Sequence, residues 1–521
     1  MSLRPNTSSS SSSPRKKVNK NTGVDAGDFS PRGKNDFVQI TKNKLQESIF
    51  KKPKEEDVPS SPCLINTDHD ILIFKIQHIR TLTQELFSDD PASQLEATTE
   101  IWKLLSKGNN ALLIEEVIRA GVVPQLVKFL ARNDMPQLQS KAACTLTSIT
   151  SGSSEHTKIV VDNGAVPLLV HLLCCGSDDM KEQVLWVLGN ISGDSPSARD
   201  DVLSHGALLP LLGLMWNPSI VKPSILKIGS WTLSNLLHGK NPSKLLEQIQ
   251  PALPFLRNLL MTTNEEVVVS ACGTLSLLTY EASSQMIQAV IDANVCPRLV
   301  ELLQSPESKA TVSILITLGS LAMGDEAHIQ VLIDNGVLTC VKQLLSTRDR
   351  IVIRYACWVV SNITGGNKAP IQDVIDVDLI SPLVHLTKAE FVIKREVVCA
   401  ISNCAYGTPE QIRFLVSKGC IEALCDLLTC PDPTLLTLCL HGLYNILLDG
   451  DTDNNITGGV NVYAEKVDKC GGLEKIISLQ SYDNDDVYTL AADMVETYWP
   501  EEHETVDDEK VHNSEGGSEQ G

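Results

Sequence analysis

The chain has 521 residues, 42% apolar but only 4% aromatic, with a formal net charge of −20. That length suits several domains or one long repeat array, and the acidic balance argues against nucleic acid and for basic ligands. No apolar run is long enough to span a membrane, and the polar, Ser-rich start is no secretory signal.

Residues 1–70 read as a leader. A serine run, Ser8 to Ser13, precedes basic Arg15, Lys16, Lys17 and Lys20, then Gly23, Gly27, Pro31 and Gly33. Phe37 to Phe50 suits one amphipathic helix, which Lys51-Lys52-Pro53-Lys54 breaks. This composition predicts a segment that is disordered when free and orders on a partner.

From about residue 72 the chain becomes periodic. Gly, or a substitute for it, is followed by two apolar residues, often Pro, and a Leu-rich helix. The pattern stands at Gly121-Val-Val-Pro124, Gly164-Ala-Val-Pro167, Gly206 to Pro210, Pro251 to Pro254 and Asn294-Val-Cys-Pro297. It continues at Gly336-Val-Leu, Asp378 to Pro382, Gly419-Cys-Ile and Gly471-Gly-Leu473. The spacing is roughly 41 to 44 residues, longer at the last step, which is the armadillo/HEAT period.

One repeat sets the expected local structure. Glu155 to Asp162 predicts a helix that Gly164 ends by taking the left-handed conformation. Val166 to Leu173 is the next, with Pro167 in its first turn, where a missing N–H costs little. Asp178 and Asp179 open a third helix that runs through Trp186 and Asn190 to Gly193. Such a triplet buries its apolar faces only by stacking on neighbours. The predicted fold is therefore all-α, a right-handed superhelical solenoid of about ten armadillo repeats over residues 71–500. Cys470 to Trp499 reads as a cap, and 501–521 as an acidic disordered tail.

The pattern that carries chemistry is Trp, three residues, Asn: Trp186 to Asn190, Trp231 to Asn235 and Trp358 to Asn362. Residues four apart share a helix ridge, so each pair sets an indole beside a carboxamide. A carboxamide can donate to and accept from a peptide backbone, and an indole face takes a lysine ammonium. In an array whose third helices line the concave face, these pairs form a ladder along a groove. The 15 cysteines include the adjacent Cys174-Cys175 and the evenly spaced Cys420, Cys425 and Cys430, but no C-x-x-C pair. They read as small buried residues, with no metal site and no cofactor. No H-E-x-x-H, G-x-S-x-G or P-loop sequence is present, and the histidines are scattered, so no enzyme is predicted.

Trp186-Val-Leu-Gly-Asn190 with Gly193-Asp194, Trp231-Thr-Leu-Ser-Asn235 and Trp358-Val-Val-Ser-Asn362-Ile-Thr-Gly resemble the peptide-binding repeats of importin alpha, the nuclear-import adaptor family. Met1-Ser-Leu-Arg-Pro5, Gly23-Val-Asp-Ala26 and Cys420 to Pro433 resemble its plant branch. The resemblance covers nearly the whole chain, in order. It implies binding of lysine/arginine-rich nuclear localisation signals as extended peptides, at a major site in the early repeats and a minor one in the later repeats. It further implies an N-terminal basic segment that binds importin beta or folds back onto the groove. Last repeats that bind the export receptor with Ran-GTP, and shuttling between cytoplasm and nucleus, complete the expectation.

Carried over by position, the major site comprises Gly152, Thr157, Gln183, Trp186, Asn190, Asp194, Trp231 and Asn235. In the family, Gly152 and Thr157 help Asp194 hold an anchor lysine, a charge-assisted pocket. The minor site comprises Trp358, Ser361, Asn362, Glu396 and Asn403, and Asn445 continues the ladder. In the leader, Arg32, Lys34, Lys42, Lys44, Lys51, Lys52 and Lys54 remain of the importin-beta-binding or autoinhibitory segment, while Ser30-Pro31-Arg32-Gly33, Thr41, Leu45 and Pro53 stand where the family has arginines. That erosion predicts weakened importin beta binding, although Lys51-Lys52-Pro53-Lys54 still reads like a short localisation signal.

The groove departs as well. Cys144 and Ser148 replace one Trp/Asn pair, and Gly273 and Leu277 replace a Trp/Tyr pair. The usual acidic residue is lost near Tyr280-Glu281; Ile316 and Ser320 replace Arg and Asn, and Cys399 replaces a Trp. Losing one cation–π wall costs about 0.5–2 kcal/mol and one amide pair about 1 kcal/mol. These losses predict a narrowed major site in which the anchor pocket survives and the flanking pockets do not. The leading expectation is an import adaptor, and the alternative is an armadillo scaffold with degenerate signal binding and no import role.

Overall fold

The computed structural model describes residues 67–106, 111–238, 247, 249–305, 308–457 and 461–500. The leader through residue 66, with Arg32, Lys34, Lys42, Lys44, Lys51, Lys52 and Lys54, and the tail from residue 501 lie outside the described residues. Among the described residues every regular element is helical. They fall into two compact units, one ending at Arg298 and the other beginning at Leu299.

The repeat built on Gly164 shows how the sequence writes the fold. Its helices are Ser154–Asp162, Ala165–Cys175 and Asp178–Asp194, one or two residues longer at some ends than the pattern alone marks. Ser153 caps the first, its side chain accepting from the His156 amide while His156 Nδ1 accepts from the Ser153 amide. Gly164 has φ +76, and the two short helices meet at 78°. Ser177 caps the third helix, with Asp178 and Asp179 in its first turn, where the helix dipole favours negative charge.

The same turn recurs with positive φ at Gly121, Gly206, Gly336, Gly419 and Gly471. Asn294 and Asp378 occupy it with φ +55 and +53. These residue types enter the left-handed region more readily than other non-glycines because a short polar side chain can bond locally. The Ser381 hydroxyl donates to Asp378 at 2.8 Å, which illustrates the compensation. The Pro251 repeat has no residue of this kind and enters its second helix through a 3-10 turn, Gln250–Ala252.

The core runs along the third helices. In the first unit Pro91–Ser106, Pro136–Thr150, Asp178–Asp194, Pro223–Leu237 and Glu265–Thr279 pack in succession. In the second, Thr311–Leu321, Arg350–Thr364, Phe391–Cys404, Pro433–Thr457 and Asp485–Tyr498 do the same. A middle helix is enclosed on several sides. Val184, Leu185, Val187, Leu188 and Ile191 of Asp178–Asp194 are all fully or nearly fully buried. Asp485–Tyr498 instead buries one face, through Val487, Leu490, Ala491, Met494 and Val495, and leaves Asp493 and Glu496 toward solvent. That is the profile of an end cap. Among the described residues no single helix is long and apolar enough to cross a membrane.

Candidate functional site

In the first unit, Trp186 and Trp231 stand on neighbouring third helices with ring centroids 5.3 Å apart at 51°. Both keep part of their surface in solvent. Trp231 packs against Gly189, where any added side-chain carbon would overlap its six-membered ring. The glycine thus makes room for the indole on the helix beside it.

The asparagines behave differently from the indoles. Asn190 and Asn235 have no exposed surface. Asn235 Nδ2 donates to the Gly189 carbonyl at 2.9 Å. Asn190 Nδ2 reaches the Thr147 carbonyl at 3.3 Å and Thr150 Oγ1 at 3.2 Å. The sequence reading has these amides meeting a peptide backbone, whereas here each amide nitrogen ties its helix to the preceding third helix. What each pair leaves accessible is the indole.

Of the expected anchor-lysine residues, Thr157 joins this network. Thr157 is fully buried, and its hydroxyl donates to the carbonyls of Thr150 at 3.3 Å and Ser153 at 3.4 Å. Thr150 therefore links Thr157 to Asn190. Gly152 lies in the turn before Ser153, against the His156 ring, with no room for a Cβ. Asp194 is the last residue of its helix and is half-buried. A carboxylate there adds to the partial negative charge of the helix C-terminus, which costs helix stability but attracts a cation. Gln183 Oε1 accepts from Cys144 Sγ at 3.3 Å, across to the preceding third helix.

In the second unit Trp358 is half-buried against Gly319, which again has no room for a Cβ. Asn362 Nδ2 donates to the Gly319 carbonyl at 3.0 Å and Asn403 Nδ2 to the Ser361 carbonyl at 2.9 Å. The buried Oδ1 of Asn403 has no hydrogen-bond partner. Ser361 donates to the Trp358 carbonyl. Glu396 is 5% exposed and Asn445 fully buried.

Sequence reading missed two kinds of participant. Gly189 and Gly319, the seats of Trp231 and Trp358, each stand four residues after the buried Leu185 and Leu315 and are legible only once neighbouring helices are in register. Trp102, on Pro91–Ser106, carries a signal that was available: Trp102, Cys144 and Trp186 are evenly spaced, as are Ser106, Ser148 and Asn190. Lys141 Nζ lies 4.0 Å from the Trp102 ring centroid. Among the described residues no group of His, Cys, Asp and Glu side chains is arranged to hold a metal ion.

The comparisons with known proteins agree with this architecture. The armadillo/beta-catenin-like repeat matches residues 110–151, 153–193, 283–322, 325–365 and 408–447, and an atypical armadillo repeat matches 461–513. Importin subunit alpha-4 of Arabidopsis thaliana is 45% identical over 515 residues, 97% of this chain and 94% of that protein. The chain belongs to the importin alpha family. Two rice relatives agree: importin subunit alpha-1a, 46% identical over 511 residues (97% and 95% of the two chains), and importin subunit alpha-1b, 45% over 434 residues (82% and 80%). The crystal structure of an engineered protein matches with a TM-score of 0.71 at 26% identity, covering 80% of this chain and 97% of that one.

Positions at which the sequence reading departs from the importin alpha pattern are packed within the third helices. Cys144 is 8% exposed and bonded to Gln183. Ser320 donates to the Ile316 carbonyl within its own helix. Cys399 is buried beside Asn403, and burial pushes its thiol up to about 12. Gly273 is enclosed in Glu265–Thr279, its carbonyl accepting from Ser276.

Proposed function

We propose that this chain is a nuclear import adaptor that holds lysine/arginine-rich localisation signals on the exposed indoles of its third helices. The Trp186–Trp231 pair, with Asp194 closing the same helix as Trp186, carries this reading. A lysine stem laid across the exposed faces of these two tilted indoles keeps its ammonium accessible, and that ammonium meets the Asp194 carboxylate. The buried asparagines hold neighbouring helices in register so that the indoles keep their spacing. Trp358, with Ser361, Glu396 and Asn403, supports a second and weaker site. The basic leader of residues 1–70 would link the array of 71–500 to importin beta, with reduced affinity, and the last repeats would meet the export receptor with Ran-GTP. The adaptor would shuttle between cytoplasm and nucleus, with no enzymatic step.

The test is fluorescence anisotropy of a lysine-rich localisation peptide on the full chain, with Asp194→Lys as control. Micromolar or tighter binding that the variant abolishes supports the adaptor. Binding indifferent to Asp194, or none even with importin beta present to occupy the leader, overturns it. Cys144 and Gly273, which offer no indole, favour a second reading, an armadillo scaffold without import. Failure to capture importin beta, alongside lost peptide binding, is the outcome that reading requires.

A further inference from the structure

Trp102 continues the indole ladder beyond Cys144, on the helix Pro91–Ser106 that packs against Pro136–Thr150. Its ring is partly exposed and already carries a cation, the Lys141 ammonium at 4.0 Å from the centroid. Lys141 stands three residues before Cys144, as Gln183 stands three before Trp186. At matching positions of successive repeats, one side chain is therefore a neutral amide and the other a fixed positive charge. No carboxylate among the described residues pairs with Lys141, so the ring is its partner.

Resting on the adaptor reading above, we propose that Lys141, seated on Trp102, is a specificity-determining residue that closes this end of the peptide face to lysine and arginine. The quadrupole of one indole face is satisfied by one cation. A second ammonium brought alongside meets the Lys141 charge at a few ångströms, where repulsion is strong. A ligand that is basic over Trp186 and Trp231 must therefore become neutral or acidic where it reaches Trp102. An acidic side chain there gains the Lys141 ammonium.

Full-length chain tests this by anisotropy with a lysine-rich core peptide and versions extended, at either end, by lysines or by glutamates. The wild-type chain is expected to prefer a glutamate extension over the lysine extension at one end, by roughly three- to tenfold. Lys141→Gln is expected to abolish or invert that preference and to leave the unextended peptide unchanged. In the Lys141→Gln background, Trp102→Ala is expected to remove the gain for lysine. Equal binding of both extensions to the wild-type chain overturns the proposal. So does a preference that survives Lys141→Gln, or an equal shift for extended and unextended peptides. Failure of the core peptide to bind, or indifference to Asp194→Lys, instead marks failure of the adaptor reading on which this one rests.

Discussion

Gly189 serves Trp231 twice: the indole rests where a glycine side chain would be, and the glycine carbonyl accepts the amide of Asn235, one turn beyond that tryptophan. Gly319 does the same for Trp358 and Asn362. A Trp, four residues later an Asn, and a Gly on the preceding helix thus form one unit. Gly189→Ala, helix-favourable by itself, is expected to lower stability by about 1–3 kcal/mol through overpacking. Urea unfolding, followed by tryptophan emission, measures it. A midpoint unchanged or raised would show that the indole has other places to go.

The buried amides make a related prediction without any ligand. Asn235→Ala leaves the Gly189 carbonyl without this donor in a dry interior, a cost of about 1–3 kcal/mol. Thermal unfolding of the peptide-free protein reads this cost. An asparagine that serves only the ligand would change binding and leave the melting midpoint alone.

Asn294 and Asp378 hold left-handed turns that six glycines hold elsewhere. Asn294→Ala should destabilise by about 1–2 kcal/mol, the cost of placing a Cβ in that region without local bonding. Asn294→Gly should be neutral or stabilising. Paired melting curves would detect the difference, and equal effects of both substitutions would contradict it.

The cysteines predict a pH effect. Burial raises the thiols of Cys272, Cys399 and Cys420 from 9.0 to about 12 in the folded chain. A group whose pKa rises on folding contributes stability that is complete below its unfolded pKa and is lost as pH climbs toward the folded one. Stability should therefore fall progressively above about pH 9. Alkylation of the native chain should label the exposed Cys174 and Cys175 first and spare those three until unfolding. Peptide mass spectrometry after timed iodoacetamide treatment distinguishes these classes; early labelling of Cys399 would contradict the packing.

The amino-acid sequence by itself determined the helix triplets, their turns, the stand-ins Asn294 and Asp378, and which indoles share a ridge with which asparagines. These follow from local geometry, since capping, positive φ and four-residue spacing act within a single helix or turn. Only the tertiary structure decided where the side chains on those ridges go. Asn190 and Asn235 turn their amides into the stack, Trp231 finds Gly189, Cys144 finds Gln183, and Lys141 finds Trp102. Each of these pairs joins residues of consecutive repeats, so it depends on the rise and rotation between third helices. That register is set by how whole faces of Leu, Val and Ile pack together, and no short stretch of sequence contains it.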